Sequence, residues 1–251
     1  MNQDHLAQPV DPALSANHWL GYYQAVEGRP PRETLLKALE LFELTPELAP
    51  KLTPKPTENR TELDHSDHHL SRFAVDLGCG DGRDTVELLR RGWRVLAIDG
   101  EQRGLDRLLS RPRPLSDHPS QASLETPLET SPKIPLQTQL MRFEDLKLPP
   151  EVDLINASFC LAFCPPAAFP AFWQTIVSSL KSGGRFCGQF FGDRDSWTRY
   201  PNRSHHSRSD LDRFLEPFVI EWLEEEEHPG VTAIGEEKDW HLFHVVARKL
   251  G

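Results

Sequence analysis

The chain has 251 residues, 38% of them apolar and 26% charged, with a formal net charge of −10. That size and balance suit one well-buried globular domain with appendages, and the acidity argues against a broad nucleic-acid or anionic-membrane surface, which needs an excess of Lys and Arg. No run approaches the roughly eighteen apolar residues of a membrane helix, the N-terminus does not read as a signal peptide, and the four cysteines form no C-x-x-C pair, so free thiols in a reducing cytoplasm are expected.

Residues 1–14 are polar with two prolines and read as a flexible tail. Residues 15–44 read as an N-terminal helical unit. Ser15 can cap a short helix carrying His18, Trp19, Tyr22 and Tyr23, ended near Gly28. A second helix is predicted over 32–42, with Leu35, Leu36, Ala38, Leu39 and Phe42 on one face. From 45 to 71 the composition shifts to Pro, Thr, Asp and His, too polar to offset its ordering entropy, and reads as a disordered linker. Its run Asp64-His65-Ser66-Asp67-His68-His69 lacks fixed surroundings, so no metal site is expected there.

The main domain is predicted over 72–250. Strand 73–78, helix 82–91, strand 94–99 and helix 101–109 follow at the short spacing of a right-handed parallel βαβ unit. A Pro-, Ser- and Thr-rich insertion occupies 111–137. The alternation resumes with strand 138–142, the turn Phe143-Glu144-Asp145-Leu146, strand 152–157, helix 166–180 and strand 185–191. A polar loop over 193–207 carries His205 and His206. It leads to a helix at 208–215, a strand at 218–223, an acidic turn at 224–227 and a last strand at 240–247. Strands alternating with helices indicate an open, Rossmann-like doubly wound α/β sheet with helices on both faces. The last two strands lack room for a crossover helix and should pair antiparallel.

The chemistry concentrates in Asp76-Leu77-Gly78-Cys79-Gly80-Asp81-Gly82-Arg83, where a strand feeds a glycine turn that opens into a helix. Asp99, about twenty residues on, ends the next strand, where a carboxylate meets ribose hydroxyls. The spacing is G-x-G-x-G, not the dinucleotide G-x-G-x-x-G, and Asp76, Asp81 and Asp84 outnumber Arg83, a poor setting for a pyrophosphate. A phosphate-free adenosine with a cationic tail fits better, and S-adenosylmethionine (SAM) is such a ligand. Glu144 and Asp145, at the C-terminal end of the third core strand, can accept from an adenine amine. The fourth-strand end, Asn156-Ala157-Ser158-Phe159, should face the methyl and the methionine tail, where carbonyl and aromatic groups stabilise a sulfonium.

Residues 73–99, with Asp-Leu-Gly-Cys-Gly-x-Gly-Arg followed by Gly-Trp-x-Val-x-Ala-x-Asp, resemble the class I SAM-dependent methyltransferases, most closely the tellurite-resistance and thiopurine-type small-molecule branch. The resemblance implies a seven-stranded sheet with its last strand antiparallel, and a cofactor site in which Asp76, Gly78, Gly80 and Gly82 line the methionine side. Asp99 would hold the ribose, with Glu144 and Asp145 flanking adenine. Cys79, Gly100 and Asn156 complete the candidate cofactor set. The N-terminal helices would cover the pocket, making Trp19, Tyr22 and Tyr23 lid candidates; Phe159 at the fourth-strand end is a further substrate candidate, and Tyr23 and His205 of the 193–207 loop are the catalytic candidates. Asn156-Ala157-Ser158-Phe159 lacks the Pro-Pro of adenine-N6 methyltransferases, which disfavours that reaction.

The expected activity is methyl transfer from SAM to a small-molecule acceptor, without metal, nucleic acid or membrane. The alternatives are a non-catalytic or protein-modifying SAM-binding protein and a nucleotide-dependent oxidoreductase. The acceptor and the oligomeric state carry no sequence signal.

Overall fold

In the computed structural model the described residues are 11–44, 72–111 and 135–251. Most of the expected tail, the linker at 45–71 and nearly all of the insertion lie outside them. The described residues form one seven-stranded sheet in the order β3-β2-β1-β4-β5-β7-β6. The strands are β1 (Phe73–Leu77), β2 (Arg94–Asp99), β3 (Leu136–Leu140), β4 (Val152–Ala157), β5 (Leu180–Phe191), β6 (Phe218–Val231) and β7 (Glu237–Lys249). Strands β1 to β5 run parallel, and β7 inserts antiparallel between β5 and β6, as expected.

The helices are α1 (Ala16–Val26), α2 (Glu33–Leu44), α3 (Arg83–Arg90), α4 (Gln102–Ser110), α5 (Phe169–Ser179) and α6 (Arg208–Leu215). Strand residues alternate between two cores because successive side chains point to opposite faces. Val75, Leu77, Ile98, Ile155 and Phe190 pack with Phe172, Trp173 and Ile176 of α5 and Leu211 of α6. Ala74, Val95, Ala97, Leu154 and Val246 pack on the other face with Leu35, Leu39 and Phe42 of α2, Leu88 of α3 and Leu105 and Leu108 of α4. Helix α2 is therefore a core layer of the sheet, while α1 sits at the C-terminal strand ends.

Two expectations are corrected. Strand β5 begins at Leu180 and absorbs the glycine turn as an irregularity, with Gly183 at φ 76° and a register shift against β4. The larger correction concerns Glu224 to Glu227, which form no turn. They lie within β6, and the β6–β7 hairpin extends to Val231 and Glu237. Three of these four carboxylates have basic side chains within reach, which offsets their crowding along the strand. Glu225 and Glu227 pair with Arg194 at 2.8 and 2.9 Å, and Glu226 pairs with His244 and His228, each at 2.5 Å.

Candidate active site

The glycine loop leaves β1 through three residues of positive φ, Gly78 (61°), Gly80 (54°) and Gly82 (89°), a region that side chains disfavour. A Cβ on Gly78 would lie 2.5 Å from the Cβ of Cys160, and one on Gly80 would lie 3.2 Å from the Tyr23 ring. The loop is tied to β2: Cys79 N donates to Ile98 O at 3.1 Å, and Gly80 N donates to Asp99 Oδ2 at 2.7 Å. Asp99 Oδ1 accepts from Glu101 N at 2.8 Å. Burial raises the Asp99 pKa, and the backbone donors of Gly80 and Glu101 oppose that shift. An ionised carboxylate offers about four acceptor sites, so two remain for hydroxyl donors.

Beneath the loop lies a buried polar network. Asp76, 1% exposed, accepts from Asn156 Nδ2 at 2.8 Å and from the Thr85 hydroxyl. Asn156 Nδ2 also donates to Asp84 Oδ2 at 3.0 Å, and Asn156 Oδ1 accepts from Ser158 Oγ at 3.1 Å. Burial, then the nearby Asp84 charge, pushes the Asp76 carboxyl up to about 7. Asp84 Oδ1 accepts from Arg32 N at 2.9 Å, fixing the segment before α2 to the start of α3.

Above the strand ends runs a cavity of about 790 Å³, toward the upper end of the range for small-molecule sites and so roomy for a single ligand. Gly78, Gly80, Asp99, Gly100, Glu101, Met141, Arg142, Phe143 and Glu144 line one half. Trp19, Tyr22 and Tyr23 of α1, with Arg29 and Arg32, form its cover, and Ser158 and Phe159 stand at its middle. Phe159 has φ 55°, a strained value for a non-glycine residue, and is held there by its N–H donating to Gln189 Oε1 at 2.9 Å. The Arg32 guanidinium lies 4.2 Å over the Phe159 ring, and its Nη2 donates to Tyr22 Oη at 3.1 Å. It has no carboxylate partner among the described residues. The far half lies under the hairpin, lined by Glu226, His228, Val231, Ile234, Glu236, Trp240 and Leu242. The hairpin tip reaches α1, where a Cβ on Gly21 would lie 4.0 Å from Ile234 Cγ2.

The structure thus brings Gly78, Gly80, Asp99, Gly100, Glu144, Trp19, Tyr22, Tyr23 and Phe159 to one cavity. Asp76, Cys79, Gly82 and Asn156 do not line it. They build its floor, with Gly82 packed so closely on Leu108 that no Cβ fits. Asp145 is exposed in a shallow groove beside Gln139 and Lys147. His205 is also absent from the lining: it sits edge-on to Phe191, and burial lowers its pKa to about 4. Burial first, then the Asp99 charge, raises the Tyr23 pKa, so its phenol stays protonated.

Sequence reasoning passed over Arg32, His18, Met141, Phe143 and the hairpin residues. Arg32 follows Pro30-Pro31 directly, a rigid entry that could have marked it as held. The hairpin residues had no local signal, because an acidic run reads as solvated.

Residues 74–184 match the family model described as a methyltransferase domain. A comparison with curated proteins gives no significant sequence match. Among solved structures, TehB from Haemophilus influenzae superposes with a TM-score of 0.55 at 16% identity, covering 71% of this chain and 58% of that one. The chain thus spans little more than half of TehB. A SAM-dependent methyltransferase from Methanosarcina mazei gives 0.53 at 18% identity, covering 72% and 93%. The 1,6-didemethyltoxoflavin-N1-methyltransferase of Burkholderia thailandensis, with bound 1,6-didemethyltoxoflavin and S-adenosylhomocysteine, gives 0.51 at 17% identity over 97% and 94%. These likenesses establish the shared fold.

Proposed function

We propose that the chain, whose residues 74–184 match a methyltransferase domain, is a class I SAM-dependent methyltransferase that methylates a small molecule held between α1 and the β6–β7 hairpin. The observation that carries this reading is the single cavity running from the glycine loop and Asp99 to the space under the hairpin. The Burkholderia fold relative, which holds a small acceptor beside S-adenosylhomocysteine, supports it.

The residues fit SAM. Glycines at 78 and 80 leave space that a Cβ would fill, and Asp99 keeps two acceptor sites for the ribose hydroxyls. Met141 and Phe143 give adenine an apolar seat beside Glu144. Arg32, positioned by Phe159 and Tyr22, would hold the methionine carboxylate, and α1 with the segment up to Arg32 supplies the cover; of the 15–44 unit expected as a lid, α2 packs in the sheet core instead. When bound, SAM supplies an electrophilic methyl group with a neutral thioether as leaving group. The protein's task is then alignment, which contributes up to roughly 7–11 kcal/mol in favourable cases. Phe159 stands between the two halves of the cavity, and its strained backbone keeps the ring there.

Calorimetry with S-adenosylhomocysteine and methylthioadenosine, which lacks the amino-acid tail, tests the arrangement. Arg32→Ala should weaken S-adenosylhomocysteine binding about 10- to 100-fold, the value of a charge-assisted hydrogen bond, and leave methylthioadenosine binding within about threefold. Equal losses for both ligands would remove Arg32 from the carboxylate. A wild-type protein that binds neither would refute the cofactor site. Labelled methyl transfer to protein rather than to metabolites would refute the small acceptor.

A further inference from the structure

The half of the cavity under the hairpin is walled by a continuous arc of rings. Trp19 meets Phe163 with centroids 5.1 Å apart, Phe163 meets Trp197 at 6.1 Å, Trp197 meets Trp240 at 5.9 Å, and Trp240 meets Phe159 at 6.4 Å. All five line the cavity. Four of them already carry a protein cation, Phe159 that of Arg32. Arg203 lies 4.7 Å from the Phe163 centroid and 3.9 Å from that of Trp197, and Lys238 lies 3.9 Å from Trp197 and 4.6 Å from Trp240. Both cations are buried, do not line the cavity, and pair with Asp11 and Asp195 respectively. A cationic acceptor would compete with Arg203 and Lys238 for Phe163, Trp197 and Trp240. A flat aromatic molecule would instead gain stacking and edge contacts.

The carboxylates of this chamber are also engaged. Asp11 pairs with Arg203, Glu236 with Arg199, and Glu226 with His228 and His244. His228 offers no lone pair, since Nδ1 faces the Pro229 carbonyl at 2.9 Å and Nε2 faces Glu226 at 2.5 Å. His18 differs. It lines the cavity from α1, edge-on to Trp19 at 5.2 Å, and its imidazole has no hydrogen-bond partner among the described residues.

We propose, on the basis of the methyltransferase reading above, that the chamber takes a planar aromatic acceptor bearing a hydroxyl, thiol or ring N–H, and that His18 is the general base that receives its proton. The acceptor heteroatom forms a bond to the methyl carbon as its proton passes to the His18 lone pair. The carbon–sulfur bond breaks with its electron pair staying on sulfur, so the sulfonium becomes a thioether and the positive charge ends on the imidazolium. Asp11 from the N-terminal segment and Glu236 from the hairpin turn favour that imidazolium, while Arg203 opposes it. Burial, then Arg203, lowers the His18 pKa below its ordinary value, leaving the ring neutral and ready to accept a proton at neutral pH.

The test uses SAM with phenol, para-nitrophenol and thiophenol as probes, and hexylamine and tellurite as non-aromatic comparators. Wild type should methylate the aromatic probes. His18→Gln should lower kcat for phenol about 100-fold or more, and that for para-nitrophenol, which is largely ionised without help, by less than a tenth of that factor. The acidic limb of the kcat profile with phenol should vanish in His18→Gln. In ligand-free protein carrying labelled histidine, the one imidazole resonance lost in His18→Gln should titrate below 6.5. Trp240→Leu should raise KM for phenol, and Trp240→Phe should restore it.

Equal losses on phenol and para-nitrophenol, or a His18 resonance titrating above 6.5, would remove the base role. Methylation confined to hexylamine or tellurite, or no aromatic probe methylated by protein that binds S-adenosylhomocysteine, would overturn the acceptor class. Absence of S-adenosylhomocysteine binding by wild type would instead refute the methyltransferase site itself. His18→Gln should keep wild-type affinity for that ligand, which also certifies its fold.

Discussion

Asp76→Asn should stabilise the protein near neutral pH. The Asp76 carboxyl is 1% exposed, and burial and Asp84 push its pKa from 3.8 to about 7. Between those values the unfolded chain has released a proton that the folded chain still holds. Stability therefore falls as pH rises, by up to about 1.4 kcal/mol per unit and about 4 kcal/mol in all, and levels off above the folded pKa. Asparagine stays neutral throughout. Its carbonyl can still accept from Asn156 Nδ2, and its amide can donate to the Thr85 oxygen; the Thr85 proton then gives up its present acceptor, a cost that is the same at every pH. Urea unfolding of both proteins at about pH 5, 6, 7 and 8 gives the stability difference directly. That difference should move in favour of Asp76→Asn by roughly 3 kcal/mol across the range. Affinity for S-adenosylhomocysteine should stay near wild type, because Asp76 lies beneath the cavity and does not line it. A difference that stays constant with pH, or a variant less stable at pH 8, would refute the assignment of a raised native pKa.

Asp99→Ala should lower S-adenosylhomocysteine affinity by about 1.5–3 kcal/mol in calorimetry with a native circular dichroism spectrum, since it removes the acceptors for the ribose and for Gly80 N; unchanged affinity would place the ribose elsewhere. Gly78→Ala combines a φ of 61° with a Cβ 2.5 Å from that of Cys160. It should cost at least 1–2 kcal/mol of stability from the backbone alone and weaken cofactor binding, both measurable by thermal melts with and without S-adenosylhomocysteine. A melting temperature unchanged from wild type would mean that the loop relaxes freely.

How much was legible in the sequence follows the range of the interactions involved. The glycine loop, the Asp99 strand end and the alternation of strands and helices are local patterns: positive φ demands glycine, a parallel crossover demands a helix, and the antiparallel terminal pair follows from a link too short for one. These established the sheet, its last strand and the cofactor. Asp99 and the glycines met because β1 and β2 are adjacent parallel strands.

The tertiary structure decided the rest through pairings between residues far apart in sequence. Glu224 to Glu227 read as a solvated turn; they stay largely exposed but lie in the long β6–β7 ladder, where Arg194, His241 and His244 partner Glu225, Glu226 and Glu227. His205 read as a loop residue near the acceptor, and packing against Phe191 buried it instead. Arg32 and His18 carry no motif. Arg32 gains its place from Asp84 and Phe159, and His18 from the Asp11–Arg203 pair that ties the N-terminal segment to residues about 190 positions away. The type of methyl donor was legible in the residues themselves, because its main signal, the glycine loop and Asp99, lies within one contiguous βαβ unit. The chamber proposed for the acceptor is assembled from α1, the loop after β4 and the hairpin, and its composition follows from the long-range packing that brings those elements together.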